Sequence, residues 1–180
     1  MLTDELENQI LAVLFVAKEP LLLSELQEIY PKKSVEDLKE ALRRLSSNFS
    51  SLQEAVEIRQ VGGGCRMTTR PEHHEIIRSY LKTKPSSKLS LAALETLSVI
   101  AYKQPVTMPE IMEIRGVRRS STIRTLLEKR LIESRGRKKT VGRPTMYGTS
   151  KDFLVHFGLK GLSDLPTLQE LEEVLAQPAE

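Results

Sequence analysis

An internal repeat is the feature that most limits how this chain can fold. A gapless shift of 85 residues brings identical residues and apolar residues of the first half onto the second. The identical pairs are Lys18/Lys103, Pro20/Pro105, Glu25/Glu110, Glu28/Glu113 and Ile29/Ile114, and the apolar pairs are Leu26/Ile111, Leu38/Ile123 and Leu42/Leu127. The apolar positions keep the same helical spacing across the match. The repeat therefore predicts that the 180 residues fold as two copies of a small unit rather than around one large core.

Each copy has the pattern of three helices followed by a β-hairpin. In the first half, apolar residues recur at spacings of three and four in 4–18, and Ser24 and Ser34 are candidate N-caps of two more helices. Alternation in 56–61 and 65–69 predicts a hairpin. The second half repeats this order, with Thr107 and Glu110 as a capping box. The predicted fold class is mainly α with small β-hairpins (α+β), arranged as two tandem winged-helix domains.

Composition predicts where the two domains meet. The stretch 82–88 contains no apolar residue and is rich in Lys, Ser and Pro, which is typical of a linker. We therefore expect an N-terminal winged-helix domain at 1–82, a linker at 83–89, a C-terminal winged-helix domain at 90–160 and an acidic tail at 161–180.

Several classes of protein are disfavoured by the sequence. A single cysteine, Cys65, excludes an intramolecular disulfide, and the longest apolar run, 10–17, falls short of the roughly 18 residues of a membrane-spanning helix. Acidic residues occupy the N-terminus where a secretory signal would need basic ones. We expect a cytoplasmic protein without membrane contact.

Candidate catalytic groups are few. The sequence contains neither a G-x-S-x-G nucleophile motif nor a phosphate-binding G-x-x-x-x-G-K-[ST] loop, and the glycines at 62–64 are expected to form a hairpin turn. Cys65, His73 and His74 lack the spacing of a zinc site and are expected on the solvated surface, while His156 is expected to be packed or exposed. We predict no enzyme activity, catalytic residue, metal or cofactor.

Charge is distributed unevenly along the chain. The net charge is −1 in residues 1–85, +9 in 86–160 and −5 in 161–180. The basic excess covers the third helix of the second copy and its hairpin, or wing, where winged helices can meet DNA phosphates. The candidate nucleic-acid contacts are Arg118, Arg119, Arg124, Arg135, Arg137, Lys138, Lys139 and Arg143. Base-specific readout is less favoured, because Ser120, Ser121 and Thr122 dominate the start of that helix. A solvated loop, or a contact with an acidic protein segment such as 164–180, would explain the same charges.

The second half carries motifs that closely resemble a known family. They are the runs 89–97, 100–105, 114–117, 124–128, 142–144 and 147–149, followed by Phe153-Leu154, Phe157-Gly158-Leu159 and Leu165-Pro166. In the first half the match includes Gly64, Arg66 and 69–72. Over nearly its full length the chain resembles bacterial segregation and condensation protein B, the ScpB family.

The resemblance implies a function. It implies two winged-helix domains, a homodimer formed through the N-terminal domains, and binding to the kleisin ScpA, which bridges the heads of the SMC ATPase. The implied role is that of a non-catalytic subunit, associated with the nucleoid, in chromosome condensation and partition during cell division. Candidate partner contacts are Tyr102, Tyr147 and Phe157, each of which could equally be a core residue. The alternative is a winged-helix DNA-binding transcriptional regulator.

Overall fold

The computed structural model describes residues 5–52, 55–81, 89–117, 121–167 and 169–170. These residues form α-helices with small antiparallel sheets, which confirms the mixed α and β content expected from the sequence. The chain divides into two compact units, Met1–Lys84 (unit 1) and Pro85–Glu180 (unit 2). Apart from Leu89, the predicted linker 83–89 lies outside the described residues.

Unit 1 consists of three helices, a hairpin and a closing helix. In chain order the elements are α1 (Glu5–Val16), α2 (Leu23–Ile29), α3 (Val35–Leu52), β1 (Val56–Val61), β2 (Gly64–Thr69) and, after a 3-10 turn at Pro71–His73, α4 (His74–Leu81). The predicted apolar stripes form the core, in which Ile10, Leu26 and Leu38 are fully buried. The hairpin forms from the two segments predicted by alternation and pairs Val56 with Thr69 and Val61 with Gly64.

Unit 2 repeats this order and adds a short strand after its first helix. Its elements are α5 (Leu91–Lys103), β3 (Val106–Thr107), α6 (Met108–Arg115), α7 (Thr122–Glu128), β4 (Ile132–Arg137), β5 (Thr145–Thr149) and α8 (Lys151–Phe157). Ile100, Ile111 and Leu126 are the fully buried apolar side chains of its core, and Phe153 of α8 packs with them. The first residues of the predicted tail also pack here, because Leu165 lies against this core.

A short extended segment between the first two helices joins the hairpin in both units. Leu21 pairs with Cys65 of β2, and Val106 pairs with Tyr147 of β5. Leu21 and Val106 are 85 residues apart, which is the repeat shift. In unit 2 this gives a three-stranded sheet of order β3-β5-β4.

The second helix of each unit begins in the same way. The Glu25 carboxylate accepts a hydrogen bond from the Leu22 N–H at 2.7 Å, and the Glu110 carboxylate accepts one from the Thr107 N–H at 2.8 Å. Ser24 was expected as the N-cap, which is wrong: α2 begins at Leu23, with Leu22 as its N-cap. The Glu25 carboxylate satisfies the N–H of Leu22 itself, while the apolar side chain of Leu22 offers no acceptor to the first turn.

A buried polar network ties the first three helices of unit 2 together. The Thr96 hydroxyl on α5 accepts from Arg115 Nη1 of α6 at 2.8 Å and lies 2.8 Å from the Thr122 hydroxyl of α7. Arg115 also donates to the Glu95 carboxylate at 2.6 Å. At the matching point of unit 1, the Tyr30 hydroxyl donates to Gln9 at 3.1 Å. Tyr30 lies one repeat shift before Arg115, so the end of the second helix is hydrogen-bonded to the first helix in both units, through different residue types.

Candidate protein-binding groove

An apolar groove opens on unit 2 between α5, α8 and the segment that follows α8. Its volume is about 320 Å³. The floor consists of buried core residues, including Leu97 and Phe153, and the rim consists of Leu94, Tyr102 and Phe157. None of the described residues that line the groove is charged.

Two contacts hold the walls of the groove. The Tyr102 hydroxyl donates a hydrogen bond to the carbonyl oxygen of Pro166 at 2.7 Å, which fastens the segment after α8 to the end of α5. The Phe157 ring packs against Phe153, with ring centroids 4.8 Å apart at an angle of 47°. Because both rims are fixed by contacts inside the unit, the groove is formed before any partner arrives.

The rim leaves large apolar side chains open to water. Leu94 is 41% exposed, Tyr102 36% and Phe157 45%. Contiguous apolar surface around a concave site is typical of a protein-binding groove. With no charged group in the described lining, the groove is suited to apolar side chains of a partner segment rather than to a charged ligand or to bond-breaking chemistry.

The structure brings two of the three candidate partner residues together. Tyr102 and Phe157 both line the groove, whereas Tyr147 does not. Tyr147 lies on β5, pairs with Val106 and Ser134 across the sheet, and packs partly buried against the core. Leu94, Leu165 and Pro166 complete the groove. The sequence analysis did not single them out as contacts, because their meeting depends on the return of the chain after α8.

The candidate nucleic-acid residues separate into three groups. Arg118 and Arg119 lie outside the described residues. Three others are held by acidic side chains: Arg124 by Glu128 at 2.8 Å, Arg135 by Glu133 at 3.0 Å, and Lys138 by Glu110. The third group consists of Arg137, Lys139 and Arg143, which are exposed and have no side-chain partner within the part of the chain that the structure describes.

Glu110 links the hairpin to α6. One carboxylate oxygen accepts from the Thr107 hydroxyl at 2.6 Å and from the Thr107 N–H, and the other accepts from Lys138. These hydrogen bonds, that of Lys138 first, lower the pKa of Glu110 from its usual 4.5 to about 2. Lys138 therefore fastens the hairpin to the helix that Glu110 caps.

Cys65 and the histidines do not form a site. Cys65 is buried in the core of unit 1, which corrects the expectation of a solvated thiol, and burial raises its pKa. The thiolate is disfavoured there, so the residue behaves as a small apolar side chain. His156 is exposed beside the Phe157 ring. Across the described residues no group of three or more His, Cys, Asp or Glu side chains could hold a metal ion.

These observations define a protein of two repeated helix-and-hairpin units, one of which presents an apolar groove. The family model for "Segregation and condensation complex subunit ScpB" matches residues 8–168, and the chain therefore belongs to the ScpB family. Membership associates the chain with chromosome partition and cell division, in a family named as a complex subunit and not known as an enzyme. Among the described helices none is long and apolar enough to cross a bilayer.

Similar proteins carry the same family name. Segregation and condensation protein B of Desulforamulus reducens is 44% identical over 93% of this chain and 91% of its own length. That of Alkaliphilus metalliredigens is 42% identical over 90% of this chain and 85% of its own length. The Myxococcus xanthus protein is 42% identical over 99% of this chain, which spans 54% of that relative.

Two solved structures are also similar. One is a conserved hypothetical protein from Chlorobium tepidum, 36% identical, covering 86% of this chain and 96% of that one with a TM-score of 0.40. The other is ScpB from Mycobacterium tuberculosis, 30% identical, covering 88% of this chain and 98% of that one with a TM-score of 0.41.

Proposed function

We propose that this chain is a non-catalytic subunit of the segregation and condensation complex, that its unit 2 groove binds the kleisin ScpA, and that it reaches the SMC ATPase through ScpA. Family membership supports the complex, and the exposed rim residues Tyr102 and Phe157 are the observation that carries the binding surface. The protein acts in the cytoplasm, at the nucleoid, in chromosome condensation and segregation.

Both units are proposed to be winged-helix domains, with boundaries at 1–82 and 90–160 around the linker. The order of three helices and a hairpin supports this, as does the short segment at Leu21 or Val106 that pairs with the second hairpin strand. A winged-helix unit that binds a protein in its groove can serve in a complex without an active site.

Groove residues are tested by matched truncations on unit 2. Phe157→Ala and Leu94→Ala remove rim side chains, whereas Leu127→Ala removes one of similar exposure, 39%, outside the groove. Because buried apolar anchors dominate interfaces, Phe157→Ala is expected to weaken ScpA binding roughly 30-fold, and Leu127→Ala less than about 3-fold. Isothermal titration calorimetry measures both. Equal affinity of all variants, or no binding of ScpA by the unaltered chain, contradicts the proposal.

The homodimer is proposed to form through unit 1. Support comes from α4, where Ile76 and Tyr80 share one face at a spacing of four and are 66% and 82% exposed. Light scattering after size-exclusion chromatography is expected to give twice the chain mass of 20.4 kDa. Ile76→Glu with Tyr80→Glu should give monomers, while Ile114→Glu on unit 2 should not. A monomeric unaltered chain refutes the dimer.

A further inference from the structure

The end of β4 and the loop that joins it to β5 carry positive side chains that form no ion pair within the described residues. Residues 134–144 contain five Lys or Arg side chains, from Arg135 to Arg143, and no Asp or Glu. Arg135 and Lys138 are accounted for, because Glu133 and Glu110 hold them. Arg137, Lys139 and Arg143 remain exposed with no side-chain partner among the described residues.

The loop has a defined conformation despite this mutual repulsion. The Lys138 N–H donates to the Pro144 carbonyl at 2.9 Å, and the Arg143 N–H donates to the Thr140 carbonyl at 2.9 Å. The ion pair of Lys138 with Glu110 fastens the loop to α6 from the side. Arg137, Lys139 and Arg143 therefore extend from a backbone that is held in one conformation by hydrogen bonds and an ion pair.

The backbone at Arg143 adopts a conformation that is uncommon for an arginine. Its φ is +41°, in the left-handed region where glycine or asparagine is the usual choice, and the preceding Gly142 has φ +80°. Strained backbone of this kind clusters at functional sites, and here it presents an exposed cation whose side chain has no hydrogen-bond or ion-pair partner among the described residues.

We propose that Arg137, Lys139 and Arg143 bind the phosphates of duplex nucleic acid without reading its sequence. The surface is a hairpin loop with a fully exposed Val141 between the cations, and none of these residues lines the apolar groove. Arg and Lys side chains on a fixed, projecting loop can reach the phosphates at the edge of a duplex groove, and an acidic peptide is the competing ligand that the test includes. Phosphate contacts carry no sequence information, so all duplexes should bind alike.

Counterion release predicts how steeply the affinity for a duplex falls as the salt concentration rises. Each neutralised phosphate contributes about 0.9 to the slope of log affinity against log salt, so three contacts contribute about 2.7. Between about 50 and 200 mM salt, these contacts alone account for a roughly 40-fold loss of affinity.

The test is fluorescence anisotropy of the full chain with a labelled duplex of random sequence, at several salt concentrations. The combined change Arg137→Gln, Lys139→Gln and Arg143→Gln should lower the magnitude of the salt slope by about 2.7. The control Lys103→Gln, Lys151→Gln and Lys160→Gln removes the same charge from exposed sites of unit 2 outside this loop and should change the slope by less than about 1.

A variant that adds a charge to the loop keeps the proposal testable if the triple variant fails to fold. Thr140→Arg adds a cation to the same loop and should raise the slope by about 0.9. Circular dichroism checks the fold, and ScpA affinity, measured alongside, should stay unchanged because the groove lies elsewhere. The proposal is overturned by equal slopes for the two triple variants, by no duplex binding at about 50 mM salt, or by tighter binding of poly-glutamate than of duplex at the same salt.

Discussion

Removal of the Thr96 hydroxyl is expected to destabilise unit 2. Thr96 is fully buried, and Thr96→Val keeps the shape of the side chain while deleting its oxygen. The Arg115 guanidinium then loses an acceptor at 2.8 Å, and the Thr122 hydroxyl loses its neighbour at 2.8 Å. A hydrogen bond to a charged group contributes about 1.5–3 kcal/mol, so we expect a loss of about 2–3 kcal/mol.

Hydrogen exchange with mass spectrometry measures this loss where it occurs. Because the chain has two units, a single unfolding midpoint would average them, whereas exchange resolves peptides of α5, α6 and α7. A loss of 2–3 kcal/mol raises their opening roughly 30- to 150-fold. Thr125→Val, at an exposed position of α7, is the matched control and should stay within about 0.5 kcal/mol.

A double-mutant cycle distinguishes the network from simple packing. Arg115→Met removes the buried partner, whose side chain is 9% exposed, so adding it to Thr96→Val leaves no guanidinium without its hydroxyl acceptor. The combined cost should therefore fall below the sum of the single costs by about 1–2 kcal/mol. If Thr96→Val costs no more than Thr125→Val, or if the two changes are additive, the reasoning fails.

Two further outcomes follow from the structure. The pKa of Glu110 is lowered from 4.5 to about 2, so its stabilisation is complete above about pH 4.5 and is lost as the pH falls towards 2. An NMR titration should find that value in the unaltered chain and a higher one in Lys138→Gln, and a pKa near 4.5 in both would exclude the ion pair in solution. Leu26→Ala and Ile111→Ala, at fully buried repeat positions, should each cost about 2–5 kcal/mol in exchange measured in their own units. A small cost at one site alone would contradict the structural equivalence of the repeats.

Local periodicity predicted the helices and hairpins well because their signal lies within a few residues. Leu38 and Ile123, one repeat shift apart, are both buried on the third helix of their units. Ser34 accepts from the Asp37 N–H at 3.0 Å, which confirms it as a cap. The extended segments at Leu21 and Val106 were missed, since one or two residues are too short to show an alternating pattern.

Contacts between distant residues account for what the sequence could not predict about the site. Lys138 was predicted as a DNA contact, but its ion pair joins it to a residue 28 positions away. The groove depends on a hydrogen bond between Tyr102 and Pro166, separated by 64 positions. Charge counts therefore located the basic region but could not say which of its side chains were already engaged.

The outer hairpin strand of each unit bears on how these proteins avoid aggregation. Within their units, β1 and β4 have a neighbouring strand on one side only among the described residues. Each carries an acid and a base two residues apart: Glu57 and Arg59 lie 2.8 Å apart, and Glu133 and Arg135 lie 3.0 Å apart. Charged side chains on an open strand oppose its pairing with strands of other molecules. The paired charges thus help to keep two small sheets from joining edge to edge with other copies at high concentration.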